Sequence, residues 1–258
     1  MYGFEGWSVI LDPSTNDPRI EPNVRSVILP SEQPLSITRI RNLLSHEIES
    51  HVFRTVAGER SPLALLGLGT KGSLMTDEGL ALYFDRETAL AQGTQMDEAD
   101  LGFWIGTLAT GLARGVSAPP LTFSSLFSVS ELVFALNRLL KGIDKDVASG
   151  QARVRALAIG RCLRTFRGVP DPRVAGHAYV KDAIYLRGYR AVAEAVRRDA
   201  STLTRLMVGI VSLDQLEDLN ELGIVSPPHP PRWLAHDPQI ETFILSFQDA
   251  HNHYDLDS

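Results

Sequence analysis

The sequence predicts an α+β fold, mainly helical, with a small amino-terminal antiparallel β-sheet, and three observations lead there. Two short runs rich in β-branched residues open the chain, GWSVILD (Gly6–Asp12) and NVRSVILP (Asn23–Pro30). Longer segments with apolar residues at helical spacing fill most of the remainder. The 258 residues are 44% hydrophobic and 22% charged, the balance of a globular chain with a sizeable buried core. A single domain over residues 1–258 is expected, with a β-rich entry at 1–35, a helical pair at 36–92, a helical remainder at 93–240 and a tail at 241–258.

In chain order, PSTNDPRIEP separates the two strand runs and is dense in turn formers, so antiparallel pairing of the runs is expected. Pro30 and Pro34 then break the chain, and Ser36 caps a helix through ITRIRNLLSHEIESHVFRTVA that stops at Gly58 in the left-handed region. A Gly-rich connector (Gly67–Thr76) leads to a second helix, EGLALYFDRETALAQ, starting near Asp77. Helical spacing returns from Leu101 to about Gly160, broken by Ala118–Pro120 and by Gly142–Asp146. After the turn-rich RGVPDPRVAGH come a long helix, AYVKDAIYLRGYRAVAEAVRRDA, a shorter one, LDQLEDLNELG, and a proline-dense SPPHPPRW.

Composition narrows the function classes. No apolar run approaches the ~18 residues of a membrane-spanning helix, and the start lacks the layout of a signal peptide, so a soluble, cytoplasmic protein without a membrane partner is expected. Cys162 is the single cysteine, which excludes an intrachain disulfide and a multi-thiolate metal site. Any metal must be held by His and carboxylates. A formal charge of -6 with scattered Arg and Lys argues against a nucleic-acid partner.

The chemistry concentrates in His46-Glu47-Ile48-Glu49-Ser50-His51, with Glu78 at the head of the next helix. Catalytic zinc takes three such protein ligands and leaves a position open for water. Glu47, following the first histidine, stands where H-E-x-x-H enzymes keep their general base. Here the spacing is H-E-x-x-x-H, and at ~100° per residue a regular helix would splay the two rings by ~140°. A one-residue π-bulge realigns them, so the motif predicts a local distortion between His46 and His51. The spacing alone is equally met by ordinary hydrogen-bonded or exposed histidines.

The surrounding words go further. HEIESHVFRTVAGERSPLALLGLG followed by TDEGLALYFD, and later RTFRG with HAYVKDAIYLRGY, resemble the family of microtubule-associated tyrosine carboxypeptidases and their bacterial QEGLA-motif relatives, over about Trp7 to Trp233. The resemblance implies zinc as cofactor, His46, His51 and Glu78 as its ligands, and Glu47 as the catalytic glutamate. The chain departs from the family in having Asp77 where glutamine is common, and in a short amino end. The implied activity is removal of a carboxy-terminal tyrosine or phenylalanine from a protein or peptide tail.

A carboxypeptidase must bind a free carboxylate, which a fixed cation does best. Arg167 and Lys181, in the segment resembling the family signature, are the candidates, and solvated surface charge is the alternative for each. Tyr185 shares a helix face with Lys181 and can donate to an oxyanion, unless it is half-buried packing. His177 follows a turn glycine and is expected to be exposed and uninvolved. Glu49 should leave the ligand face for solvent or Arg54, and Asp77 should cap the helix that presents Glu78. Phe103, Trp104, Phe134 and Phe166 are expected in the core, and Cys162 as a small buried hydrophobe. His229, His236, His251 and His253 fall in Pro-rich or polar terminal sequence.

The expected chemistry is metal-assisted hydrolysis, with the substrate backbone added as a strand to the edge of the small sheet. Two rivals stand beside it: a silent peptide-binding module that keeps the fold, against which the intact Glu47 speaks, and a peptide-maturation protease of different specificity.

Overall fold

The computed structural model describes residues 4, 6–15, 18–31, 37–91, 93, 101–142 and 147–225. They form two compact units, one from Met1–Met96 with Gly188–Ser258, the other from Asp97–Arg187. The class is α+β and mainly helical, as the sequence predicts.

The first unit opens with strands β1 (Ser8–Asp12), β2 (Arg19–Glu21) and β3 (Ser26–Pro30) in the order β1-β3-β2. The two runs read from sequence do pair, but in parallel, with Val9 opposite Val27 and Leu11 opposite Leu29. The antiparallel partner of β3 is the three-residue β2, hidden in the turn-dense segment. Pro22 starts a 3₁₀ turn over Pro22–Val24, and Arg25 follows in the left-handed region at φ 48°. That reversal makes β2 and β3 a hairpin, and β1 takes the far side of β3 and runs parallel to it. The sheet is therefore mixed. Its central strand is buried at Ser26, Val27 and Ile28, whereas the edge strand β1 exposes Val9 and Leu11.

Val27 meets Val52 and Val56 in a small apolar cluster flanked by Trp7, Ile20, Leu29 and Ile48, which seats the sheet on the helix of the histidine motif. That helix is α1 (Ile37–Leu43), a π-helical stretch Leu44–Val52, and α2 (Phe53–Arg60) in succession. Ser36, its expected cap, lies outside the described residues. Gly58 does not stop the helix, which runs on to Arg60. Its role is close packing, since a Cβ there would sit 2.3 Å from the Leu66 carbonyl carbon and the Gly67 nitrogen. The next helix, α3 (Ser73–Ala91), starts four residues before Asp77.

A crossing of two glycines brings α3 against α7 (Lys181–Arg198). A Cβ on Gly79 would lie 2.2 Å from the Gly188 carbonyl carbon, and one on Gly188 would lie 1.9 Å from the Met75 carbonyl oxygen. Only hydrogen at both positions allows the backbones so close. The unit's main core gathers Phe53, Leu80, Phe84 and Val192 with Leu206, Met207, Val211 and Leu216, the later residues coming from α8 (Ser201–Leu206) and α9 (Leu216–Glu221) and their connections.

The second unit holds α4 (Leu101–Arg114), α5 (Phe123–Leu140), α6 (Val147–Thr165) and the first turns of α7. A break falls at the expected Ala118–Pro120 segment, and α5 ends two residues before Gly142. Ala109, Ala113, Leu126, Cys162 and Phe166 make its core, so Phe166 and Cys162 are buried as expected. Trp104 is not core: it is exposed, while Phe134 is half-buried and the side chain of Phe103 lies outside the described residues. The expectation that no segment approaches membrane-spanning length also needs correction. By length and composition α5 is apolar enough to cross a membrane, and only 17% of it is buried. Leu126 anchors it within the unit, while Leu132, Leu136, Leu139 and Leu140 are exposed along it.

Candidate metal centre

The π-helical stretch Leu44–Val52 covers the whole His46–His51 motif, so the distortion demanded by the five-residue spacing is present and longer than a single bulge. Its i→i+5 bonding puts residues five apart on one face. The two imidazoles accordingly meet edge to face, with ring centroids 5.3 Å apart. Glu78 joins them from α3, and is itself buried. One ligand atom from each of His46, His51 and Glu78 lies within 4.8 Å of the other two, a group that can hold a metal ion.

The surroundings of the rings test that fit. Asp85 sits 2.7 Å from Nδ1 of His46, and Asp77 sits 2.9 Å from Nδ1 of His51. Each histidine thus spends Nδ1 on a carboxylate and keeps Nε2 for the shared space, the arrangement by which metal-binding histidines are fixed in tautomer and orientation. Two imidazole nitrogens and a carboxylate, with both rings held from behind, suit a borderline divalent ion such as zinc.

The same carboxylates also favour a protonated His51, whose proton a bound metal would displace. Burial works against a charged His51, but Asp77 beside it, with Glu47 and Glu78 nearby, outweighs burial and raises its pKa to about 9. Burial likewise opposes a charged Asp77, yet His51 and Arg54 hold its carboxyl well below the usual range. Glu47 directly follows His46 in the motif. It is half-buried on the same π-helical stretch.

Several expectations change here. Asp77 is no helix cap, because α3 begins at Ser73; its two oxygens bond His51 and Arg54 instead. Glu49 does not reach solvent but is 1% exposed. Sequence reading missed Asp85, although it lies seven residues, two helical turns, beyond Glu78, a spacing that shares a face. Arg54, expected as a partner for Glu49, is wholly buried and bonds Asp77.

The remaining candidates belong to the second unit. Lys181 and Arg164 each place their charge 5.9 Å from the ring centre of the half-buried Tyr185, and Arg167 does so with Tyr179. Buried Asp182 fixes this group, accepting from Arg161 at 2.6 Å and from Arg164 at 2.8 Å. Arg167 and His177 are exposed. His229, His236, His251 and His253 lie outside the described residues.

No curated protein matches the chain. Residues 149–252, which begin after the metal-ligating group and include Arg167, Lys181 and Tyr185, match the family model described as microtubule-associated tyrosine carboxypeptidase.

Proposed function

We propose that this chain is a zinc-dependent carboxypeptidase, with His46, His51 and Glu78 as ligands, that removes a carboxy-terminal aromatic residue, tyrosine or phenylalanine, from a protein or peptide tail in the cytoplasm. The observation that carries the reading is the convergence of those three side chains on a π-helical motif, with both histidines held at Nδ1 by carboxylates. The family match over residues 149–252 supports the direction and class of the reaction.

Zinc bound there would supply a Lewis acid for the scissile carbonyl and acidify an attacking water. The chain's own residues do the rest. Glu47 accepts the water's proton and passes it to the leaving amine. Arg167 or Lys181 pairs with the terminal carboxylate through charge-assisted hydrogen bonds, and Tyr185 donates to the developing oxyanion; both roles are argued from the chemistry of the groups. A substrate backbone has a sheet edge to join at β2, whose Ile20 packs against the cluster of Val27, Val52 and Val56.

Glu47→Gln tests the reading. The amide keeps shape and loses the proton-accepting carboxylate, so zinc and peptide should still bind while hydrolysis falls by about 10²–10⁴-fold. A fully active Glu47→Gln protein would assign the base elsewhere.

A further inference from the structure

We infer that Arg54 is a positioning residue of the metal site, acting through Asp77 on His51, with the backbone of residues 206–211 as its anchorage. The inference rests on the reading that His46, His51 and Glu78 hold zinc.

Arg54 is 0% exposed. Its Nε donates to the carbonyls of Leu206 at 3.0 Å and Gly209 at 2.9 Å, and Nη2 donates to the carbonyl of Val211 at 3.1 Å. The planar guanidinium is thus clamped along one side by main-chain oxygens, and Nη1 is left aimed at Asp77 Oδ1, 2.5 Å away. The other oxygen of Asp77, Oδ2, faces His51 Nδ1 at 2.9 Å. With its two oxygens committed in two directions, the carboxylate cannot turn without losing a charged partner. His51 is therefore held in one ring orientation, with Nε2 directed to the ligand group.

The placement along the chain is economical in the same sense. Arg54 comes one turn after His51, and Asp77 immediately precedes Glu78. The two segments that carry ligands are tied together by the residues beside those ligands. Stability does not by itself require a cation here, since a buried ion pair can often be replaced by well-packed apolar groups without loss. What an apolar pair would lose is the fixed direction of the fork, which lysine also lacks.

The test is zinc affinity, measured by competition with a chromophoric chelator at one pH, for the parent, Asp77→Asn, Arg54→Lys and the double variant, with circular dichroism checking the fold of each. Asp77→Asn should bind zinc about 10–100-fold more weakly, the usual effect of losing a residue that orients a ligand. Arg54→Lys keeps the charge and loses the fork, so it should weaken zinc binding in the parent background and add little once Asp77 is asparagine. A purely structural arginine would lower the unfolding temperature in both backgrounds and leave the zinc affinity of the folded protein unchanged. Folded variants that bind zinc as tightly as a zinc-binding parent overturn the inference alone. A parent that binds no zinc overturns the zinc reading with it. Should Arg54→Lys not fold, Arg54→Gln takes its place under the same criteria.

Discussion

Gly79→Ala should destabilise the protein and loosen its metal site, although a helix normally gains from alanine. Gly79 lies inside α3, next to Glu78, where exchanging glycine for alanine favours the helix by about 1 kcal/mol. Against this stands geometry: the new methyl would meet the carbonyl carbon, carbonyl oxygen and Cα of Gly188 at 2.2, 2.5 and 2.6 Å. Ordinary contacts begin near 3.4 Å, so α7 must withdraw by roughly an ångström, and the obstacle is backbone that has no rotamer to change. Overpacking costs about 1–3 kcal/mol, more where the surroundings cannot yield. Against unyielding backbone the clash takes the upper end of that range and outweighs the propensity gain by about 2 kcal/mol, and a chain of this size loses about 2–4 °C in Tm per kcal/mol. Calorimetry should show a fall of several degrees, with weaker zinc binding because Glu78 moves with its neighbour. Gly111→Ala, in α4 with nothing within 4 Å of the added carbon, is the control and should hold or raise Tm. A Gly79→Ala protein as stable as the parent, with parental zinc affinity, would refute the claim that the glycine crossing seats Glu78.

Two further outcomes follow from the same geometry. His51→Ala should lose stoichiometric zinc by elemental analysis, because two protein ligands are left to compete with water; full occupancy in that variant would mean the ligand is another residue. Burial pushes the Cys162 thiol up and closes it from solvent, so it should resist a maleimide across neutral pH in the native protein and react once the chain is denatured. Rapid labelling of the native protein would contradict its place in the core of the second unit.

Local chemistry and periodicity exposed much of this molecule in the sequence. Two histidines five apart can share one face only if the helix departs from regular geometry, and the π-helical stretch Leu44–Val52 supplies that departure. Proline and glycine marked the breaks around α5 correctly, since both act on the local backbone. What escaped depends on partners distant in sequence. The parallel pairing of β1 with β3 follows from a three-residue strand too short to carry a periodic signal. The start of α3 at Ser73 places Asp77 within the helix, and that shift alone converts an expected cap into the partner of His51. The burial of Arg54 escapes the sequence because three of its acceptors are carbonyls more than 150 residues away, and no side-chain pattern announces a carbonyl. Trp104 shows the converse, an aromatic on an apolar helix whose exposure periodicity did not reveal.

The central claim is tested most directly by incubating the zinc-loaded protein with peptides that differ only in their last residue, each as free acid and as amide, and reading the products by mass spectrometry. The account predicts loss of a single carboxy-terminal residue, fastest for tyrosine or phenylalanine. Amidation removes a charge-assisted contact worth about 1.5–3 kcal/mol and should slow cleavage by roughly ten- to hundred-fold. Cuts at internal bonds, equal rates for acid and amide, or no cleavage of any peptide by fully loaded protein would contradict it.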